Sequence, residues 1–115
     1  MIREPLLLTP IAFEILLALA DDDRHGYAIL QDISERTNGE FRPHAGTLYR
    51  ALARLVDEGW VEELDERPDP DDDDERRRYY RLTAAGRRMA AAEATRLADQ
   101  VRVARARKLL RPGLS

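Results

Sequence analysis

The chain has 115 residues, 43% hydrophobic and 36% charged, which supports one modest core and leaves little apolar surface. It has no cysteine and two histidines, His25 and His44, so disulfides and thiolate metal sites are excluded and no dedicated transition-metal centre or other cofactor is expected. The net charge is −3, but Asp65 to Glu75 holds eight acids and one arginine; setting aside that local −7 leaves +4 elsewhere, and a polyanion responds to the local field of a patch rather than to the total.

Leu6 to Ala20 is the most apolar stretch. It does not read as a secretion signal, because Arg3 and Glu4 cancel and Pro5, Pro10 and Glu14 interrupt the run. It is also too short to span a bilayer. The expectation is a cytoplasmic protein with no membrane contact. Within this stretch a first helix is predicted from Thr9 to Ala20, with Thr9 as cap and Pro10 at the first helical position, where its missing N–H costs nothing. Ile11, Phe13, Ile15, Leu16, Leu17 and Leu19 make it apolar nearly all round, so it should be central and buried. Asp21-Asp22-Asp23 should end it and cap the next helix.

A second helix is predicted over about His25 to Thr37, with Tyr27, Ile29, Leu30 and Ile33 facing inward and Asn38-Gly39 as its stop. Phe41 and Pro43 lie in the connection to a third helix, Ala45 to Glu58. There Leu48, Leu52, Leu55 and Val56 form one apolar stripe, Arg50 and Arg54 share the opposite flank, and Gly59 supplies a left-handed stop. A helix that enters a DNA major groove needs such a buried face and such a small, polar, basic one.

Trp60 to Leu64 and Arg78 to Leu82 alternate as two short strands, with the acidic segment as the loop between them, a wing. Asp69, Asp71 and Asp73 match the opening of a calcium loop, but Asp74 and Tyr80 stand where glycine and glutamate are required, so no calcium site is expected. Thr83 caps a last long helix, Ala84 to about Leu110. Its residues Ala90, Ala94, Leu97, Val101 and Ala104 repeat at coiled-coil spacing, a seam that a second copy of the chain could cover. The predicted fold is mainly α with a small β-hairpin (α+β): a winged helix-turn-helix over residues 1–83 and a C-terminal dimerisation helix and tail over 84–115.

Three segments carry a family resemblance: His25-Gly26-Tyr27-Ala28-Ile29, Gly46-Thr47-Leu48-Tyr49, and Arg76 to Gly86. In this order and spacing the chain resembles the PadR family of bacterial and archaeal transcriptional regulators. It departs from the family pattern at Ala45 and Arg50, which flank the Gly-Thr-Leu-Tyr segment where prolines are usual; Arg50 adds a cation to the recognition helix. The resemblance implies phosphate contact from Tyr27, control of stress, detoxification or efflux genes, and in some relatives a response to aromatic or drug-like molecules. A small-molecule effector of unidentified chemistry is therefore kept among the partners. The last helix has no aromatic residue, so such a ligand would stack elsewhere, on Phe13 or Trp60.

The residues expected at double-stranded DNA are Thr47, Tyr49, Arg50 and Arg54 on the recognition helix, and Arg42 and His44 just before it. At the base of the wing, Arg76, Arg77 and Arg78 are expected along the minor groove. Each has a plainer reading: Tyr49 as a packing aromatic, Arg54 paired with Asp57 or Glu58, and the wing arginines neutralising the acidic loop. No nucleophile, phosphate loop or catalytic serine motif appears, so no enzyme is expected. The sequence supports a homodimeric repressor on an inverted repeat. The alternative is a winged-helix protein-interaction module without DNA binding.

Overall fold

The computed structural model describes residues 8–64 and 78–110. Helix α1 spans Pro10–Ala18, β1 Arg24–His25, α2 Gly26–Arg36, α3 Ala45–Asp57, β2 Val61–Leu64, β3 Tyr79–Leu82 and α4 Ala84–Ala106. This is the expected mainly helical winged fold with one addition: the sheet has three strands, in the order β1-β3-β2.

Thr9 caps α1 by accepting from the Ala12 N–H at 3.2 Å, with Pro10 at the first turn. Ala12, Ile15, Leu16 and Ala18 are buried, while Leu17 is 37% exposed, so the helix is central but not covered all round. It stops before the expected Ala20. Arginines from elsewhere take the freed carbonyls: Arg24 Nε donates to Ala18 O and Arg87 to Ala20 O, both at 2.7 Å. This satisfies groups that a helix end leaves open.

The aspartate triplet does not cap α2. His25 does, its Nδ1 accepting from the Ala28 N–H at 3.2 Å. Asp21 and Asp23 are engaged instead by Arg24 and Arg81. Tyr27, expected inside, is 56% exposed; Ile29 and Ile33, one turn apart, hold the inner face. Asn38 and Gly39 both take positive φ, 55° and 79°, and end the helix as expected.

Helix α3 buries Leu48, Leu52 and Leu55 and closes in a Schellman turn, with Trp60 N–H bonded to Leu55 O and Gly59 N–H to Val56 O. Trp60 thus belongs to the turn, and the strand starts one residue later, at Val61. In the sheet, Val61 faces Leu82 and Leu64 faces Tyr79, while Arg24 faces Tyr80. Alternation sends Val61 and Tyr80 into the core and leaves Tyr79 half-buried.

Thr83 joins wing and last helix. Its hydroxyl donates to Gly59 O at 2.7 Å and accepts from Gly86 N–H at 3.0 Å. Gly86 lies against the Trp60 carbonyl, so closely that a Cβ there would fall on the oxygen. Helix α4 ends at Ala106, short of the expected Leu110, where Lys108 turns left-handed and Leu109 N–H bonds Ala104 O. Ala90 packs on the chain's own core and Leu97 and Ala104 are half-buried, while Ala94 and Val101 are exposed. Part of the expected seam is therefore used within one chain, because the first half of α4 runs along α1.

Candidate nucleic-acid interface

Gly46, Tyr49, Arg50, Ala53, Arg54 and Asp57 form the outward stripe of α3, and all are exposed. They recur at three- and four-residue spacing opposite the leucines, as a half-buried helix requires. Gly46, Ala53 and Asp57 were not singled out from sequence as contact positions, although the period of the non-apolar residues marks them. Thr47 is half-buried; Arg42 and His44 are exposed in the approach to the helix.

The N-terminus of α3 differs from those of the other helices. Thr9, His25 and Thr83 each accept a backbone N–H from a helix start. His44, in the same place on α3, makes no side-chain cap hydrogen bond. The first N–H groups of α3 therefore have no cap from His44, and the Arg50 guanidinium lies beside Gly46 in the first turn, an arrangement suited to an oxyanion.

The arginines fall into two sets. Arg36 donates to Glu14 at 2.6 Å and to Asp32 at 2.7 Å. Burial lowers its pKa, but the hydrogen bonds to Asp32 and Glu14 outweigh that and raise it. Arg81 pairs with Asp23 at 3.3 Å and Glu62 at 3.5 Å, and Arg78 with Glu63 across the hairpin at 3.0 Å. Arg42, Arg50 and Arg54 have no carboxylate partner among the described residues. The plainer pairing of Arg54 with Asp57 or Glu58 does not form. Arg50 instead leans back along the helix to the Thr47 hydroxyl, 3.4 Å away. Among the described residues, other cations without a carboxylate lie on or after α4, at Arg88, Arg107 and Lys108, and Arg87 is used on Ala20.

Tyr49 both packs and faces solvent. It is 39% exposed, and its ring lies over Gly26 at the start of α2. A Cβ on Gly26 would sit 2.6 Å from the Tyr49 Cζ, so this glycine sets how closely the two helices cross. Tyr27 lies beside this joint, its ring stacked with His25 at 6.4 Å, and His25 meets Tyr79 of β3 edge-on at 5.3 Å. Tyr27, Tyr49 and the sheet edge are thus brought together around His25-Gly26. Burial pushes the Tyr80 phenol up to about 12, with Glu63 adding to the shift, so it remains neutral. Arg76 and Arg77 lie outside the described residues. Among the described residues there is no cluster of three metal-ligating side chains, and no helix is long and apolar enough to cross a membrane.

The profile of the PadR-like family of transcriptional regulators matches residues 15–92. The chain belongs to this family. The PadR-like match runs from the middle of α1 into α4 and so takes in the whole helix-turn-helix and sheet. A transcriptional regulator from Clostridium thermocellum has a similar structure, with a TM-score of 0.71 and 26% identity over 84% of this chain and 87% of that one. Bacillus subtilis PadR, solved in complex with operator DNA, shares the fold with a TM-score of 0.60 and 20% identity, covering 72% of this chain and 45% of that one. An uncharacterized protein of Lysinibacillus sphaericus is 36% identical over 62 residues, 54% of this chain. The match spans little more than half, 57%, of that relative's length.

Proposed function

We propose that this protein is a sequence-specific DNA-binding transcriptional regulator, acting as a homodimeric repressor on an inverted repeat. The observation that carries the reading is the start of α3: an exposed, uncapped helix N-terminus beside Arg42, Arg50 and Arg54, none of which has a carboxylate partner among the described residues. Anionic phosphate fits such a site, because the open N–H groups and the helix dipole favour negative charge and arginine binds phosphate bidentately. Bacillus subtilis PadR, which shares the fold, was solved on operator DNA, and that supports the same use here.

In this reading residues 1–83 contact DNA and 84–115 pair two copies. Thr47 and Tyr49 enter the major groove with Arg50 and Arg54, which meet the phosphates at its edge, while Arg42, His44 and Tyr27 meet the backbone before it. Arg76 and Arg77 follow the minor groove, joined by Arg78 once phosphate replaces Glu63. Ala94 and Val101, exposed on α4, supply the open part of the dimer seam, with Ala90, Leu97 and Ala104 alongside. A two-fold dimer would set its recognition helices one DNA turn apart, roughly 34 Å, or a multiple of it. The protein works in the cytoplasm and performs no catalysis.

Fluorescence anisotropy with DNA from upstream of the protein's own gene, against scrambled DNA, tests the reading. Preference for the upstream DNA is expected, together with a two-fold mass in sedimentation. Equal, weak binding to both would contradict the DNA assignment and favour a protein-interaction module, and a monomer at micromolar concentration would contradict the pairing.

A further inference from the structure

Arg50 stands in the second turn of α3, and its guanidinium lies back over the first. Its Nη2 donates to the Thr47 hydroxyl at 3.4 Å, and its Nη1 would be 3.5 Å from a Cβ on Gly46. Side chains on a helix lean towards its N-terminus, but a cation is disfavoured at that end, where the helix dipole places partial positive charge. Arg54, four residues on and exposed on the same flank, repels Arg50 from the other side. No carboxylate among the described residues holds Arg50. The Thr47 hydroxyl is its one acceptor among them. Thr47 is half-buried and β-branched, so that hydroxyl has few positions to choose from.

We propose that Thr47 is a positioning residue: its hydroxyl holds the Arg50 guanidinium over the first turn of α3, set for a DNA phosphate, and Thr47 acts on DNA affinity through Arg50. This rests on the DNA-binding reading above and deepens it. The guanidinium is kept where the free helix disfavours a cation, and an anion arriving there relieves the conflict. The uncapped N–H groups of the same turn favour the same negative charge. A long side chain fixed in advance also loses less rotamer freedom on binding. Phosphate contacts carry no sequence information, so the contribution of Thr47 is the same on every DNA sequence.

A double-mutant cycle tests this, with Thr47→Val, Arg50→Ala and the pair, on the upstream and the scrambled DNA. Thr47→Val should weaken binding about fourfold on both, the scale of ordering one long side chain. It should cause no further loss in the Arg50→Ala protein, and Thr47→Ser should retain full affinity. Thr47→Ala, which favours helix, keeps the test open if Thr47→Val fails to fold. A loss confined to the upstream DNA, or one that persists without Arg50, would mean that Thr47 touches DNA itself and overturns the proposal, as does an unchanged affinity. A second readout needs no DNA. The Arg50 Nε–H resonance, assigned by its absence from Arg50→Ala, should shift and become more mobile in Thr47→Val and stay in place in Thr47→Ser; a resonance indifferent to Thr47→Val overturns the contact. Absence of DNA binding in every protein would overturn the functional reading and the DNA role of Thr47 together, and a responsive resonance would then leave the Thr47–Arg50 contact standing by itself.

Discussion

The outer flank of α3 and the junction of β1, β3 and α2 carry the same residue type in opposite states. Arg24 and Arg81 at the junction, and Arg36 at the far end of α2, are each held by one or two carboxylates, and Arg24 also closes the end of α1. On α3, Arg50 and Arg54 have none among the described residues, and the helix start beside them has no side-chain cap. The first set completes the fold. The second leaves hydrogen-bonding capacity directed outward, which is what a polyanion needs. Residue type alone does not separate the two sets; the presence of a carboxylate within about 4 Å does.

The largest expected effect breaks the packed side. Gly86→Ala would drive a Cβ into the Trp60 carbonyl, a backbone atom tied to Thr83 and unable to move aside cheaply. A loss of about 3 kcal/mol is expected, measurable in urea unfolding. Arg50→Ala acts on the open side: DNA affinity should fall by about 2 kcal/mol, while thermal stability stays within about 0.5 kcal/mol. Arg36→Ala should do the reverse. Its ion pairs are partly exposed and screened, so a stability loss of about 1 kcal/mol is expected, and anisotropy should show DNA affinity unchanged. A large DNA effect from Arg36→Ala would erase the distinction between the two sets.

The smallest effect concerns α4. Arg96 donates to both carboxylate oxygens of Glu93 and holds its carboxyl below the ordinary value of 4.5. Because the folded pKa is the lower one, the pair stabilises above the unfolded pKa and its contribution is lost as pH falls through the folded value. Glu93→Gln should therefore cost about 0.3 kcal/mol at pH 7, the scale of a helix ion pair, and progressively less as the pH falls below the ordinary carboxylate range. Paired thermal melts at neutral and falling pH check this; a difference that grows in acid would contradict the assignment.

Much of this architecture is readable from periodicity and punctuation. The leucine stripe of α3, the stops at Asn38-Gly39 and Gly59 and the threonine caps at Thr9 and Thr83 depend on local chemistry, and they stand where the pattern puts them. β1 was not readable, because two residues carry no period and are defined only by their partner strand. Tyr27 misleads for the same reason: an aromatic near a helix start reads as inner face until Ile29 and Ile33 have claimed it. The cap of α2 was missed because aspartate is the commoner cap and histidine an unusual one. In the candidate interface, Arg50 and Arg54 could be named from spacing. That they have no carboxylate partner among the described residues could not, since Asp57 and Glu58 lie within reach on paper and only the folded geometry shows that these two ion pairs do not form.

The central claim is that the α3 arginines meet phosphate and the junction arginines do not. The slope of log K against log salt tests it most directly, because each phosphate contact releases counterions. Measured on one DNA site, Arg50→Ala should be shallower than the unaltered protein by about one unit, and Arg81→Ala should have the same slope as the unaltered protein. An unchanged slope for Arg50→Ala, or a shallower one for Arg81→Ala, would contradict the account.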